Sequence, residues 1–193
     1  MTIQQKLYTA KEFWATAEER NPDKFYELIH GEIFEMAPPK KINSIIAAYI
    51  GRLLGNFVEA NLIEGYVLGA DGGYTLSDED VRVPDVSFIL KERLPDVDDT
   101  DSIIAPDFVV EVISPSESPR MVNEKTALYL LAGAKIVWNI YPDEKEVEVW
   151  TKGSGEKFEM QAFRMTDTLD GGEILKGFKL PVKDIFAQIP KKK

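Results

Sequence analysis

"PDFVVEVISPSESPRMVNEKTALYLLAGAKIVWNIY", residues 106–141, decides the fold. Its opening run, to Ile113, is β-branched, apolar and preceded by Pro106, as in a strand covered on both faces. Helix punctuation follows: Ser118 suits an N-cap, Pro119 the first helical position and Gly133 a stop. "KIVWNIY" then reads as a second strand. Strand, helix and strand within about 35 residues make a βαβ unit, with parallel strands and a right-handed crossover expected. One residue disagrees with its surroundings. Glu111 stands among Val109, Val110, Val112 and Ile113, and an ionised carboxylate there is costly unless a cation meets it.

Outward from this unit, the periodicities change. "TAKEFWATAEER" places Thr9 three residues before Glu12, a capping box that predicts a short helix. "FYELIHGEIFEMA" reads as two strands around a His30–Gly31 turn. In "NSIIAAYIGRLLGNFVEANL" the apolar residues from Ile45 to Val58 recur at near-helical spacing, predicting an amphipathic helix capped by Asn43 or Ser44. Ala47, Gly51 and Gly55 recur every fourth residue, which predicts another backbone packed along that line. Strands follow at "GYVLGA", "GGYTLS" and "DVRVPDVSFIL". The hairpin "EVEVWTK"–"GSG"–"EKFEMQAF" closes the sheet antiparallel, and "LPVKDIFAQI" predicts a last short helix. "DVDDTD" departs from a calcium loop, since Thr100 and the missing glycine break the pattern, and reads as a solvated connection.

The bulk numbers restrict the chemistry. The 193 residues fit one domain over 1–193, with 190–193 expected as a disordered basic tail. No run approaches a membrane span and the N-terminus lacks a signal-peptide core, so a cytoplasmic location is the default expectation. With no cysteine, thiolate chemistry is excluded. With His30 as the one histidine, a serine hydrolase on Ser114 or Ser116 is disfavoured and a zinc site would have one imidazole at most. A catalytic metal would be a hard ion held by oxygens, Mg²⁺ or Mn²⁺. A net charge of −10 argues against broad affinity for nucleic acid, while Lys40, Lys41 and Arg52 leave room for a local basic cleft.

Candidates to meet Glu111 come from three places. Asp107 shares its strand face but stands roughly 13 Å away at 3.3 Å per residue. In "RVPDVSFIL", alternation sets Val81, Val83, Asp85, Ser87 and Ile89 on one face, so Asp85 is also a carboxylate among apolar neighbours. Pro84 cannot donate to a ladder, which predicts an interrupted pairing just before Asp85. In the following helix, Met121, Lys125, Leu128 and Ala132 form the stripe expected to face the sheet. Lys125 there could orient or deprotonate a water, with Tyr129 bracing it. Each has a plainer account: a sheet-edge or arginine-paired Glu111, a turn-capping Asp85, a Lys125 that snorkels to solvent. Together they point to a site.

"RVPDVSFI", "PDFVVEVISPS" and "EKTALYLLAGAKIVWNIYPDEKEVEVW", with "YELIHGEIFEMAPP" before them, resemble the Uma-type endonuclease family, a branch of the restriction-endonuclease-like PD-(D/E)XK superfamily. The resemblance covers nearly the whole chain. It implies an α/β fold with a mixed central sheet flanked by helices, an N-terminal hairpin and helix, and a C-terminal antiparallel hairpin. It implies Asp85 as the motif aspartate, Glu111 as the motif acid and Lys125 as the lysine, moved to the helix because Ile113 holds its usual place. Glu32 matches a recurrent family acid and is an auxiliary metal-ligand candidate. His30 stands where relatives commonly have aspartate, and "KKINS" lacks a histidine often found after the two prolines.

The expected function is hydrolysis of DNA phosphodiester bonds with Mg²⁺ or Mn²⁺, Asp85 and Glu111 holding the ion and Lys125 positioning the nucleophile. Cutting both strands of a duplex would favour a homodimer. The rival is an inactive module that keeps the fold and binds protein or nucleic acid.

Overall fold

The computed structural model describes residues 6–94, 96–97, 100, 102–155, 157–187 and 189. The expected 190–193 tail and much of the acidic connection, including positions 98, 99 and 101, lie outside the described residues. Residues 106–141 form β7 (Phe108–Val112), α3 (Pro119–Leu131) and β8 (Ile136–Tyr141), with β7 and β8 parallel. Ser118 caps α3, accepting from the Met121 N–H at 3.3 Å, and Gly133 ends it at φ 113°.

β7 lies inside a six-stranded sheet. The order is β10 (Phe158–Phe163), β9 (Glu146–Lys152), β8, β7, β6 (Val86–Leu90) and β3 (Gly65–Leu68). Every pair but β7–β8 is antiparallel, so the sheet is mixed. Period-two alternation then divides β7. Phe108, Val110 and Val112 face α2 (Lys41–Ala60), packing with Ile46, Ile50, Leu54 and Trp138. Val109 faces α3, with Tyr129, Leu130 and Val137. Each fully buried aliphatic side chain contributes about 2 kcal/mol, so both helices are held by this burial. The first face is completed by β11 (Thr168–Asp170), β12 (Lys179–Pro181) and α4 (Val182–Phe186), through Leu169, Leu180, Ile185 and Phe186.

A second, four-stranded sheet has the order β2 (Glu32–Glu35), β1 (Tyr26–Ile29), β5 (Asp80–Arg82), β4 (Tyr74–Ser77). Its hairpin turns at His30 (φ 50°) and Gly31 (φ 78°), as expected of a two-residue turn. A Cβ on Gly31 would also come within 3.3 Å of the Tyr8 carbonyl oxygen. α1 (Ala10–Ala15), with the Thr9–Glu12 capping box, covers one face through Phe13 against Leu28 and Val81. The expected α/β architecture, a mixed sheet flanked by helices with an N-terminal hairpin and a C-terminal antiparallel hairpin, is the one observed. No described helix is long and apolar enough to cross a membrane.

Four expectations change. "DVRVPDVSFIL" is two strands in two sheets, because the chain leaves one ladder at Arg82 and joins the other at Val86. Neither Asn43 nor Ser44 caps α2, whose N-cap is Lys40 without a side-chain bond; the Asn43 Nδ2 donates instead to the Val112 carbonyl at 2.9 Å. The buried stripe of α3 is Val122, Thr126, Tyr129 and Leu130, while Met121 is 56% exposed, so Lys125 reaches inward from the flank. Among the described residues, no backbone packs closely against Gly51 or Gly55 of α2. A Cβ on Gly55 meets nothing within 4 Å, and one on Gly51 meets only Val86 methyls at 3.6 and 3.8 Å.

Candidate active site

Asp85 and Glu111 arrive from neighbouring strands. The β6–β7 register pairs Val86 with Val110, so one step further sets position 85 across from position 111. Asp85 lies just before β6, and its Oδ2 accepts the Val112 N–H at 2.7 Å. A side chain thus fills a ladder position that the backbone vacates at Pro84, and it brings a carboxylate to the end of the sheet.

α3 supplies the cation. Lys125 Nζ is 2.9 Å from Glu111 Oε1, and one turn later the Tyr129 hydroxyl donates to the same oxygen at 2.8 Å. Lys125 Nζ also lies 3.5 Å from Glu27 Oε1, on β1 of the other sheet. Glu27 is fixed in turn: its Oε1 accepts the Val83 N–H at 2.9 Å and its Oε2 the Arg82 Nη1 at 3.2 Å. Arg82 Nη2 reaches Asp80 Oδ1 at 3.2 Å. Three carboxylates, Glu27, Asp80 and Glu111, therefore share two cations where the sheets meet, with Asp85 beside them on the Val112 N–H.

Burial and charge act against each other here. Burial pushes the Glu111 carboxyl up to about 7, helped by Asp85 and opposed by Lys125. Asp85 is also raised, by burial, against the pull of the Val112 N–H and Lys125. Burial would lower Lys125, but Glu111 and Glu27 outweigh it and hold the ammonium above its ordinary value. Burial raises Glu27, yet Lys125, the Val83 N–H and Arg82 together bring it below the ordinary carboxylate range. Lys125 is therefore a standing cation, suited to orienting a water or a phosphate oxygen and unsuited to removing a proton.

Asp85, Glu111 and Lys125 thus come together. Glu32 shares a sheet face with Glu27 but makes no ion pair or hydrogen bond with any of the three among the described residues. Glu27, which sequence reasoning passed over, stands at the cluster instead. Its signal was slight: in "YELI" the inward positions are Tyr26 and Leu28, and nothing in the sequence says that the opposite face is also covered. The small residues Ala47, Gly51 and Gly55 line an open groove of about 530 Å³ that reaches Asp85, with Arg52 on its rim.

The donor set suits a hard divalent cation. Glu111 Oε1 is committed to Lys125 and Tyr129 and Asp85 Oδ2 to a backbone N–H, whereas Glu111 Oε2 and Asp85 Oδ1 have no partner among the described residues. Two open carboxylate oxygens are the kind of donor that a hard divalent cation takes. Among the described residues, no group of three or more histidine or acidic side chains is placed to hold an ion.

No curated protein matches this chain at a significant level. Among solved structures, it is similar to "a putative nuclease belonging to DUF820 from Anabaena variabilis ATCC 29413", at a TM-score of 0.77 and 24% identity over 93% of this chain and 98% of that one. At that identity the likeness speaks for the fold. The Uma2 family, described as "Putative restriction endonuclease", matches residues 10–183, a span that takes in Glu27, Asp85, Glu111 and Lys125, and the chain belongs to it.

Proposed function

We propose that this protein is a metal-dependent endonuclease that hydrolyses phosphodiester bonds in DNA, with Asp85 and Glu111 as the ligands of Mg²⁺ or Mn²⁺. The observation that carries this reading is the Lys125 ammonium, held 2.9 Å from Glu111 and 3.5 Å from Glu27, with Asp85 across the strand pair. A hard divalent ion, when bound, would polarise the phosphate and lower the pKa of a bound water.

The side chains of this chain do the rest. Glu111 must lose its proton to serve as a ligand, and Asp85 presents its free oxygen because the other is fixed on Val112. Lys125 spends two of its three N–H groups on Glu111 and Glu27, leaving one for the attacking water or a phosphate oxygen. Glu27, Arg82 and Tyr129 act as positioning residues that hold Lys125 and Glu111 in register. The groove between α2 and β3 gives a strand a path to Asp85. A two-fold pair of copies would present the opposed sites needed to cut both strands.

A cleavage assay over single-stranded, duplex and branched DNA with Mg²⁺ or Mn²⁺ tests this. Wild type should cut at least one substrate and Lys125→Ala none. Calorimetric titration with Mn²⁺ should show binding that Asp85→Ala abolishes. A wild type that takes up no Mn²⁺ and cuts nothing would replace this reading with that of an inactive binding module.

A further inference from the structure

The hairpin that carries Glu27 also carries an uncovered apolar patch. β1 and β2 pair antiparallel with Glu27 opposite Phe34, and the Met36 N–H donates to the Phe25 carbonyl at 2.9 Å, extending the ladder by one pair. Alternation therefore puts Phe25, Phe34 and Met36 on the same face as Glu27. The opposite face, with Leu28 and Ile33, is packed under α1. Phe25 is 55% exposed, Phe34 43% and Met36 38%, so two rings and a thioether stand in water beside a side chain that touches Lys125.

We propose that this patch is a stacking platform for an unpaired nucleobase, so that the preferred substrate is a single-stranded segment or a frayed end. The inference rests on the nuclease reading and specifies its substrate. Two observations choose a nucleic acid strand over other occupants. The patch is continuous with the site through Glu27, where a phosphate must come. Met36 is followed by Lys40 and Lys41, exposed and without an ion-pair partner among the described residues, and four residues of chain keep Lys40 within about 14 Å of the patch. Rings that receive a base and lysines that receive its backbone are the two components of sequence-tolerant single-strand binding. The overall acidity of the chain makes this local pairing more pointed, since the rest of the surface repels the strand.

The test is fluorescence anisotropy of the full chain in EDTA, where nothing is cut, with labelled oligo(dT), an abasic strand of equal length and a hairpin duplex. Oligo(dT) should bind tighter than both others. Phe25→Ser and Phe34→Ser should each weaken it about ten-fold and leave the abasic strand unchanged, whereas Phe34→Tyr should keep wild-type binding. Both positions are exposed, and circular dichroism is the check that the variants fold. Equal binding of oligo(dT) and the abasic strand, or no effect of Phe34→Ser, overturns the platform. A wild-type dimer that Phe34→Ser dissociates without changing oligo(dT) binding overturns it too and assigns the patch to contact between copies. Failure of the nuclease reading looks different: selective binding persists in EDTA while no cleavage occurs with Mn²⁺.

Discussion

Asp107 and Glu111 stand four residues apart, one just before β7 and one within it, both buried, and they have opposite characters. Asp107 is consumed by structure: Oδ1 meets Arg93 Nη1 at 2.6 Å and Oδ2 accepts the Leu90 N–H at 2.9 Å. Glu111 has one oxygen shared by Lys125 and Tyr129, a second without a partner among the described residues, and a second carboxylate nearby. A carboxylate whose lone pairs are all taken holds a fold together. One left with an open oxygen in a poorly hydrated place is a candidate for a ligand or a reacting group.

The contrast can be broken or sharpened by experiment. Glu111→Gln should lower DNA cleavage about 100-fold or more and leave unfolding free energy near neutral pH within about 1 kcal/mol, since Lys125 keeps Glu27. Asp107→Asn should do the reverse, costing about 3 kcal/mol in urea unfolding by stranding Arg93, with cleavage per folded molecule retained. If both variants lose activity at constant stability, the distinction fails.

A smaller effect separates the two acids by pH. The folded Glu111 pKa of about 7 lies above its ordinary 4.5, so between these values the folded protein holds a proton that the unfolded chain has released. Its contribution is fully present below the unfolded value and fades as pH rises through the folded one. Metal-free wild type should therefore lose about 2 kcal/mol of stability from about pH 5 to about pH 7, and Glu111→Gln should flatten that slope. Asp85, also raised, adds to the same trend, while the lowered Glu27 acts only in more acid solution. Tyr129→Phe should have the least effect. Loss of its bond to Glu111 should cost about 1 kcal/mol and raise the pH at which Mn²⁺ binding by calorimetry reaches half its maximum.

Much of this architecture was legible in the sequence because it is encoded locally. The capping box at Thr9, the Ser118–Pro119 start, the turn at His30–Gly31 and the βαβ unit depend on neighbouring residues alone. The candidate site was legible in part, since Asp85 and Glu111 are carboxylates in apolar runs and Lys125 follows on the helix. Where pattern and structure diverged, the cause was tertiary. Asn43 left its expected cap to bond Val112, and the α2 stripe of small residues borders a groove where a packed backbone was expected.

Residue order alone determined most of the elements, the alternation within β7 and the oddity of Glu111, because backbone propensity and period-two alternation are short-range. Which charges meet was decided by assembly of the two sheets. "DVRVPDV" crosses from one sheet to the other, and this crossing brings β1, with Glu27, against α3, with Lys125. Residues 27 and 125 are nearly a hundred positions apart, and no local pattern carries information about a contact that exists only once both sheets have packed.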